Sequence, residues 1–248
     1  MPVSEERRAE LQRRLAAVRG RIEAACAAAG RDAREVALLA VTKTVPAADV
    51  AILLDLGLAA FGENRAQEAA AKVGEVARLR PLADPAWHFV GVLQRNKVRM
   101  VLPWVTRVES VDSARLVDTL ATAIRRARDE GVRKDPVRVL LQYSVDGDPA
   151  RGGVRLEGPD GLLALAEHVA GRAELQLDGL MSVAPLDADP DVAFADIAKA
   201  AVRLRAEHPG ATELSAGMSG DLDVAIRYGS TGVRVGTALV GERRIASQ

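Results

Sequence analysis

The chain is organised around the sequence Val36-Ala37-Leu38-Leu39-Ala40-Val41-Thr42-Lys43-Thr44. Six apolar residues lead through Thr42 to a lysine, and Pro46 follows closely. A short apolar run that ends at turn-forming residues is typical of a buried strand in a parallel sheet. Lys43 is therefore predicted at the carboxyl end of that strand, where α/β folds place their ligands.

The composition draws further attention to Lys43. The 34 basic residues include only five lysines, at positions 43, 72, 97, 134 and 199, so the chain normally uses arginine for positive charge. An amine that loses hydration beside apolar groups is more easily neutral and can then act as a nucleophile. Two interpretations stay open here: Schiff-base chemistry at Lys43, and a side chain that extends to solvent.

Bulk properties exclude several classes of function. The net charge is zero and aromatic residues make up 3%, which argues against binding to nucleic acid or an anionic membrane. The single cysteine, Cys26, ends an apolar stripe and is predicted to be a packed thiol, and no intrachain disulfide is possible. The first residues lack the apolar core of a signal peptide, and no run is long enough to span a bilayer. We expect a soluble cytoplasmic protein.

Strands and helices are predicted to alternate along the chain. The predicted strands are 36–41, 59–62, 87–91, 105–111, 137–143, 176–183, 212–215 and 231–235. The predicted helices are 4–29, 47–56, 65–79, a short one carrying Gln94 and Lys97, one capped by Asp112 or Ser113, 159–170, one opened by Asp189 and Pro190, one after the turn 216–220, and a short last one.

Eight strand–helix units predict a single closed (β/α)8 barrel of the TIM type with an extra N-terminal helix. An open doubly wound sheet is the alternative, because alternation alone does not require closure. The sequence has no linker or break in composition, which predicts one domain over residues 1–248, with the N-terminal helix at 4–30 and the barrel at 36–241.

Two glycine-containing turns near the end of the chain are candidates for phosphate binding. One contains Ser219 after the seventh strand, and the other contains Gly236 and Thr237 after the eighth. Such turns expose backbone N–H groups at helix N-termini, and barrels commonly bind phosphate at these two loops. Ser219 would serve equally well as a helix N-cap. Arg234 alternates with valines and is predicted to face the barrel interior, where it needs a carboxylate or a ligand ring nitrogen as partner.

The remaining reactive side chains give weaker signals. The three histidines show no metal-ligand spacing, so no metal site is predicted. His88 on the third strand would either line the mouth of the barrel or pack. Tyr143 at the end of the fifth strand would reach the site or lie in the core.

Several segments in order resemble one known family. They are Leu39-Ala40-Val41-Thr42-Lys43-Thr44, Phe61-Gly62-Glu63-Asn64, Trp87-His88-Phe89-Val90-Gly91 with Gln94, Asn96 and Lys97, Gly179-Leu180-Met181, Leu214-Ser215 with Gly217-Met218-Ser219 and Asp221, and Val233-Arg234-Val235-Gly236-Thr237. The chain is similar to the pyridoxal phosphate homeostasis protein family, also called the proline synthetase co-transcribed family. The resemblance covers roughly residues 36–241.

The resemblance implies a barrel like the N-terminal domain of alanine racemase, without that enzyme's second domain. It implies that residues 36–241 bind pyridoxal 5′-phosphate (PLP) as a Schiff base on Lys43. Ser219, Gly236 and Thr237 would hold the phosphate, Arg234 would face the pyridine nitrogen, and Asn64 and Met218 would line the cofactor. It also implies a cytoplasmic monomer without established turnover that passes PLP to PLP-dependent apo-enzymes.

The sequence departs from the family pattern at three places. Arg151 stands where a lysine is frequent, Gln142 where asparagine is common, and Val240 where phenylalanine is frequent. The change at Arg151 predicts altered loading or release of PLP if that loop takes part in transfer. Two other functions stay open: a PLP-dependent amino-acid racemase, with Lys43 and Tyr143 as its acid–base pair, and a lysine-dependent aldolase without a cofactor.

Overall fold

A computed structural model describes residues 5–241 of the chain. The α-helices are α1 (Glu5–Ala28), α2 (Ala47–Asp55), α3 (Ala66–Leu79), α4 (Val98–Val101), α5 (Ala114–Asp129), α6 (Leu162–Ala170), α7 (Pro190–Glu207), α8 (Leu222–Arg227) and α9 (Thr237–Val240). The strands are β1 (Ala37–Val41), β2 (Ala60–Glu63), β3 (Ala86–Phe89), β4 (Arg107–Val111), β5 (Val137–Tyr143), β6 (Leu175–Ser182), β7 (Glu213–Ser215) and β8 (Gly232–Val235). Short 3₁₀ turns occupy Ala33–Glu35 and Arg95–Lys97.

The eight strands form a closed parallel barrel in chain order. Each strand pairs with the next, and β1 pairs with β8, with Ala40 beside Val235. The predicted (β/α)8 barrel with an extra N-terminal helix is therefore confirmed, and the open-sheet alternative is wrong. Helices cover the outside of the barrel, so the strands are buried on both faces, which is why β1 has an apolar sequence without alternation.

Helix α1 packs against α2, α8 and α9. Its buried face contains the apolar stripe and Cys26, which is 1% exposed. Burial raises the pKa of the Cys26 thiol, as expected for a packed and unreactive cysteine. The helix thus joins the first and last units of the barrel from outside.

Most predicted element boundaries lie within two residues of the observed ones. The strand expected from residue 105 begins at Arg107, because the N–H of Val105 still bonds to the carbonyl of Val101 at the end of the preceding helix. Helix α6 begins at Leu162 rather than 159 because Gly158, with φ +107°, lies in a turn. Asp189 caps α7 as predicted, whereas Ser113 occupies the N-cap position of α5 without a side-chain bond.

Four charged side chains on β4, β5, β6 and β7 lie close together, and we call Arg107, Arg138, Asp178 and Glu213 the floor cluster. Arg107 and Asp178 are buried, whereas Arg138 and Glu213 are partly exposed. Oδ2 of Asp178 is 2.9 Å from Nη2 of Arg107 and 2.6 Å from Nε of Arg138. Nε of each arginine and this Oδ2 nevertheless have no well-directed hydrogen bond among the described residues. The ion pairs to Asp178 therefore depend on charge attraction, whereas Nη2 of Arg107 also donates to Oε1 of Glu213 at 3.3 Å. Asp178 sits where the pairing of β5 and β6 shifts register.

Across residues 5–241, none of the helices combines the length and apolar character needed to cross a membrane.

Candidate functional site

A cavity of about 960 Å³ opens at the carboxyl ends of the barrel strands. Residues from the ends of β1, β2, β6, β7 and β8 line it, together with side chains of α1 and α2. All seven residues predicted to bind a cofactor lie on its wall: Lys43, Asn64, Met218, Ser219, Arg234, Gly236 and Thr237. The barrel thus brings together positions that are far apart in the sequence.

Thr42 anchors the turn that carries Lys43. Thr42 is fully buried, and its Oγ1 donates to Oε1 of Glu63 at 2.7 Å. Nζ of Lys72 on α3 donates to the same carboxylate oxygen at 2.7 Å and to the carbonyl of Thr42 at 2.6 Å. A buried ion pair therefore fixes the backbone immediately before Lys43, and sequence analysis did not assign this role to Glu63 or Lys72.

Lys43 itself is exposed and lines the cavity. The expectation that apolar neighbours remove its hydration is therefore wrong for the protein alone, because the strand ends before the lysine and the side chain points into an open cavity.

Thr44, the next residue, has φ +65°, and it is the only non-glycine residue of 5–241 with positive φ. A β-branched residue in this conformation stores strain. The strain lies directly beside Lys43.

Asn64 follows β2 and lies against the end of β3. A Cβ at Gly91 would come within 2.6 Å of the Asn64 carbonyl oxygen, so only glycine permits this approach. The close contact holds Asn64 on the cavity wall.

The turn after β7 presents backbone N–H groups to the cavity. Oδ1 of Asp221 accepts from the N–H of Met218 at 2.6 Å and closes the turn. The N–H groups of Ser219 and Gly220 donate to no other described residue, and both residues line the cavity. Helix α8 begins at Leu222 with Asp221 in the N-cap position, so the interpretation of Ser219 as an N-cap is wrong.

Arg234 reaches into the barrel interior from β8, as predicted, and is 5% exposed. Its Nη1 donates to the carbonyl oxygen and Oγ of Ser215, at 2.6 and 2.8 Å, and its Nη2 donates to the carbonyl of Ser182 at 2.7 Å. These three bonds use at most three of its five N–H donors. At least two donors are therefore left over on a side chain that lines the cavity.

The bonds of Arg234 continue inward through a carboxylate, and we call Arg234, Ser215, Glu109 and His88 the buried chain. Oγ of Ser215 donates to Oε2 of Glu109 at 2.6 Å, and Nδ1 of His88 lies 2.6 Å from Oε1. The structure is therefore compatible with both partners considered for Arg234, a carboxylate and a ligand ring nitrogen. An internal carboxylate is present, but it is reached through Ser215, which leaves one side of the guanidinium for a ligand.

Opposing effects act on the charges of the buried chain. Burial raises the pKa of Glu109, but the hydrogen bond and charge of His88, the charge of Arg234 and the bond from Ser215 outweigh it, so the pKa lies below its usual value. Burial lowers the pKa of Arg234 against the attraction of Glu109 and Asp221. The carboxyl of Glu109 is therefore ionised at neutral pH. The guanidinium of Arg234 is also charged, because it titrates far above neutrality.

Two other candidate side chains lie away from the cavity. Tyr143 is 3% exposed and its hydroxyl donates to Oδ2 of Asp196 on α7 at 2.6 Å, so it belongs to the core. Arg151 forms an ion pair with Asp146 in its own loop, and its carbonyl accepts from Nε2 of Gln142 at 2.7 Å. The guanidinium of Arg151 therefore pairs within its own loop. No group of three metal-ligating side chains occurs within the described range.

Sequence analysis missed Glu109, which lies in the middle of a strand predicted to be buried. The signal was present: a carboxylate between Val108 and Val111 cannot be left unpaired in a core, so it requires partners on neighbouring strands. Pattern alone does not say which residues those partners are.

Comparisons with known proteins agree with this geometry. Residues 14–244 match the family model described as "Alanine racemase, N-terminal domain". A protein of Mycobacterium tuberculosis named pyridoxal phosphate homeostasis protein is 47% identical over 248 residues, which cover 98% of this chain and 96% of that protein. The structure of PipY from Synechococcus elongatus PCC7942, determined with PLP bound, is 33% identical and superposes with a TM-score of 0.77 over 93% of this chain and all of that one.

Alanine racemase of Clostridium difficile 630 shares the fold alone. It is 14% identical with a TM-score of 0.69, and the match covers 96% of this chain but 58% of the racemase. Near-full-length identity to the mycobacterial protein, together with the family model, decides the assignment. This chain belongs to the pyridoxal phosphate homeostasis protein family and has the barrel of the alanine racemase N-terminal domain.

Proposed function

We propose that this protein binds PLP as a Schiff base on Lys43 and serves PLP homeostasis without catalysing a reaction. The observation that carries the proposal is one cavity with three kinds of group on its wall: an amine, N–H groups in two glycine-containing turns, and an arginine with unused donors. They match the aldehyde, the phosphate and the ring nitrogen of PLP. The relative PipY, whose structure was determined with PLP bound, supports the same assignment.

PLP supplies an aldehyde conjugated to an electron-withdrawing ring. The amine of Lys43 would hold PLP covalently through this aldehyde. Among residues 5–241, Lys43 is the only lysine on the cavity wall. Because the backbone of Thr42 is fixed by Glu63 and Lys72, the amine is presented from a rigid base.

The phosphate end of the cavity would be formed by Ser219, Gly236 and Thr237. Backbone N–H groups of Ser219 and Gly220 without a described acceptor fit an anion, because an N–H at a helix N-terminus favours negative charge. Ser219 Oγ lies 3.5 Å from the N–H of Ala238 and so adjoins both turns.

The ring end would be formed by Arg234, with Asn64 and Met218 along the sides. A guanidinium cannot accept a proton, so it donates to an unprotonated pyridine nitrogen. An unprotonated ring is a weaker electron sink, which disfavours carbanion chemistry and agrees with a carrier rather than an enzyme.

A racemase needs a second acid–base group on the other face of the ligand. Tyr143, the residue considered for this role, donates its hydroxyl to Asp196 outside the cavity. An aldolase that uses Lys43 alone would leave Arg234 without a function. Both alternatives are therefore weaker than a carrier.

We further propose that the chain acts as one domain and as a cytoplasmic monomer that passes PLP to PLP-dependent apo-enzymes. The exposed position of Lys43 supports exchange with solvent or a partner. The zero net charge argues against nucleic acid as a partner.

The test is to mix the purified protein with PLP, reduce with borohydride and locate the added mass by peptide mass spectrometry. We expect the label on Lys43, its loss in Lys43→Ala, and full labelling in Lys199→Ala, which removes an exposed lysine on α7. A label spread over other lysines would contradict the proposal. Steady interconversion of alanine enantiomers that Lys43→Ala abolishes would favour the racemase instead.

A further inference from the structure

Two arginines of α1 donate to backbone carbonyls of the turns that border the cavity. Arg21 bonds to the carbonyl of Ser219 in the turn after β7. Arg7 donates to the carbonyl of Val240, at the end of α9, at 3.0 Å. Arg8 on the same helix pairs with Asp55 on α2 and contacts neither turn. The N-terminal helix thus contacts the turn after β7 and the end of the short helix α9, which follows the turn after β8.

The bond from Arg21 fixes the direction of a peptide group on the cavity wall. A trans peptide is planar, so the N–H of Gly220 points opposite to the Ser219 carbonyl. The carbonyl faces α1, and the N–H therefore points away from α1. This N–H has no described acceptor, and both residues line the cavity. A guanidinium on the carbonyl also polarises the peptide, which strengthens its N–H as a donor.

Asp223 holds Arg21 in place. Nε of Arg21 lies 3.0 Å from both carboxylate oxygens of Asp223, and Nη2 also bonds to this carboxylate. Since Asp223 lies in the first turn of α8, the guanidinium is bound to the helix and to the turn that precedes it. A side chain fixed at both ends positions its target better than a freely rotating one.

Arg7 acts on the other turn in a similar way. Its Nη2 donates to Oδ2 of Asp49 on α2 at 2.6 Å as well as to the carbonyl of Val240. Helix α9 has only four residues and begins at Thr237. Holding its last carbonyl therefore holds the whole turn that carries Gly236 and Thr237.

We propose that α1 is a clamp that sets the two phosphate turns, with Arg21 as a positioning residue for the phosphate of the ligand. The proposal rests on the proposed function, because it assumes that the cavity holds PLP. It adds that α1 gives the site its preference for the phosphorylated ligand over pyridoxal, which carries the same aldehyde and ring without phosphate.

The test compares PLP with pyridoxal in Arg21→Ala, using absorbance titration and borohydride-trapped labelling of Lys43. We expect PLP binding to weaken about tenfold, as for loss of a charge-assisted bond that orients a donor, and pyridoxal binding to change less than about twofold. Arg21→Lys should recover part of the loss. Arg8→Ala, which removes an arginine from the same helix, should leave the ratio of the two affinities unchanged.

Equal weakening of PLP and pyridoxal, or unchanged PLP binding, would overturn the clamp. If Arg21→Ala does not fold, Asp223→Asn replaces it: this variant frees the guanidinium and should weaken PLP binding in the same selective way by about threefold. Failure of the proposed function is recognised separately, because the wild-type protein would then show no label on Lys43.

Discussion

The buried chain and the floor cluster both place charge inside the same barrel, but they use it differently. In the buried chain, directed hydrogen bonds run from His88 and Ser215 to Glu109 and from Arg234 to Ser215, and at least two N–H donors are left over on Arg234. In the floor cluster, the two arginines face Asp178 and Glu213. The ion pairs to Asp178 are short but poorly directed, and Arg107 donates one long hydrogen bond, of 3.3 Å, to Glu213.

The difference follows the direction of the strands. Arg107 and Glu213 begin β4 and β7, whereas Ser215 and Ser182 end β7 and β6. In parallel barrels the carboxyl end carries ligand sites and the amino end carries stability. Charges at the amino end only have to neutralise each other, while Arg234 has to be held without using all its donors.

The largest effect is expected from breaking the floor cluster. Asp178→Asn removes a charge that is close to both Arg107 and Arg138 and leaves Arg107, 7% exposed, with Glu213 alone. The free energy of unfolding should fall by about 3 kcal/mol, because the buried Arg107 loses its closer carboxylate and keeps only the ion pair of 3.3 Å to Glu213. Urea unfolding measures this. PLP binding of the folded protein should stay within about twofold of wild type, and a large loss would contradict the division of roles.

The matched change in the buried chain is Glu109→Gln, which keeps size and removes charge. We expect the free energy of PLP binding to become less favourable by about 1 kcal/mol. The reason is that Ser215 loses a charged acceptor and Arg234 is oriented less firmly. Absorbance titration with PLP checks this. An unchanged affinity together with a loss of stability would mean that the chain is structural, like the floor cluster.

A pH series sharpens the role of Glu109. Its pKa in the folded protein lies below the usual value, so its ionised form stabilises the fold above the usual glutamate pKa of about 4.3, and this contribution is lost as the pH falls through the folded pKa. The difference in unfolding free energy between wild type and Glu109→Gln should therefore be present at about pH 7 and shrink toward about pH 3. A constant difference would argue against a charge effect.

The smallest expected effect is the coupling between the buried chain and the floor cluster in the free energy of unfolding. Glu109 and Arg107 share β4 but no described hydrogen bond joins the buried chain to the floor cluster. The losses of stability in Asp178→Asn and Glu109→Gln should therefore add in the double variant to within about 0.5 kcal/mol. Urea unfolding of all four proteins completes the cycle, and a larger coupling would mean that the two groups behave as one network.

Sequence patterns were sufficient to predict the order of strands and helices and the positions that line the cavity. The apolar runs of β1 and β5 and the alternation with amphipathic helices depend on local patterns, which are readable because strand and helix periods differ. The glycine-containing turns and Lys43 follow the carboxyl ends of strands, which a parallel barrel brings to the same end of the fold. Arg234 was predicted inward because its neighbours are valines that face the helices.

Which charged groups come into contact depends on the tertiary structure. Glu109 and Ser215 are 106 positions apart, and Arg21 reaches Ser219 across 198 positions. Such pairs depend on barrel closure and strand register, which no local period encodes. The exposure of Lys43 and the core position of Tyr143 were likewise decided by packing, because a side chain at a strand end turns inward or outward according to its neighbours. The closed barrel therefore determines the partner of each of these side chains.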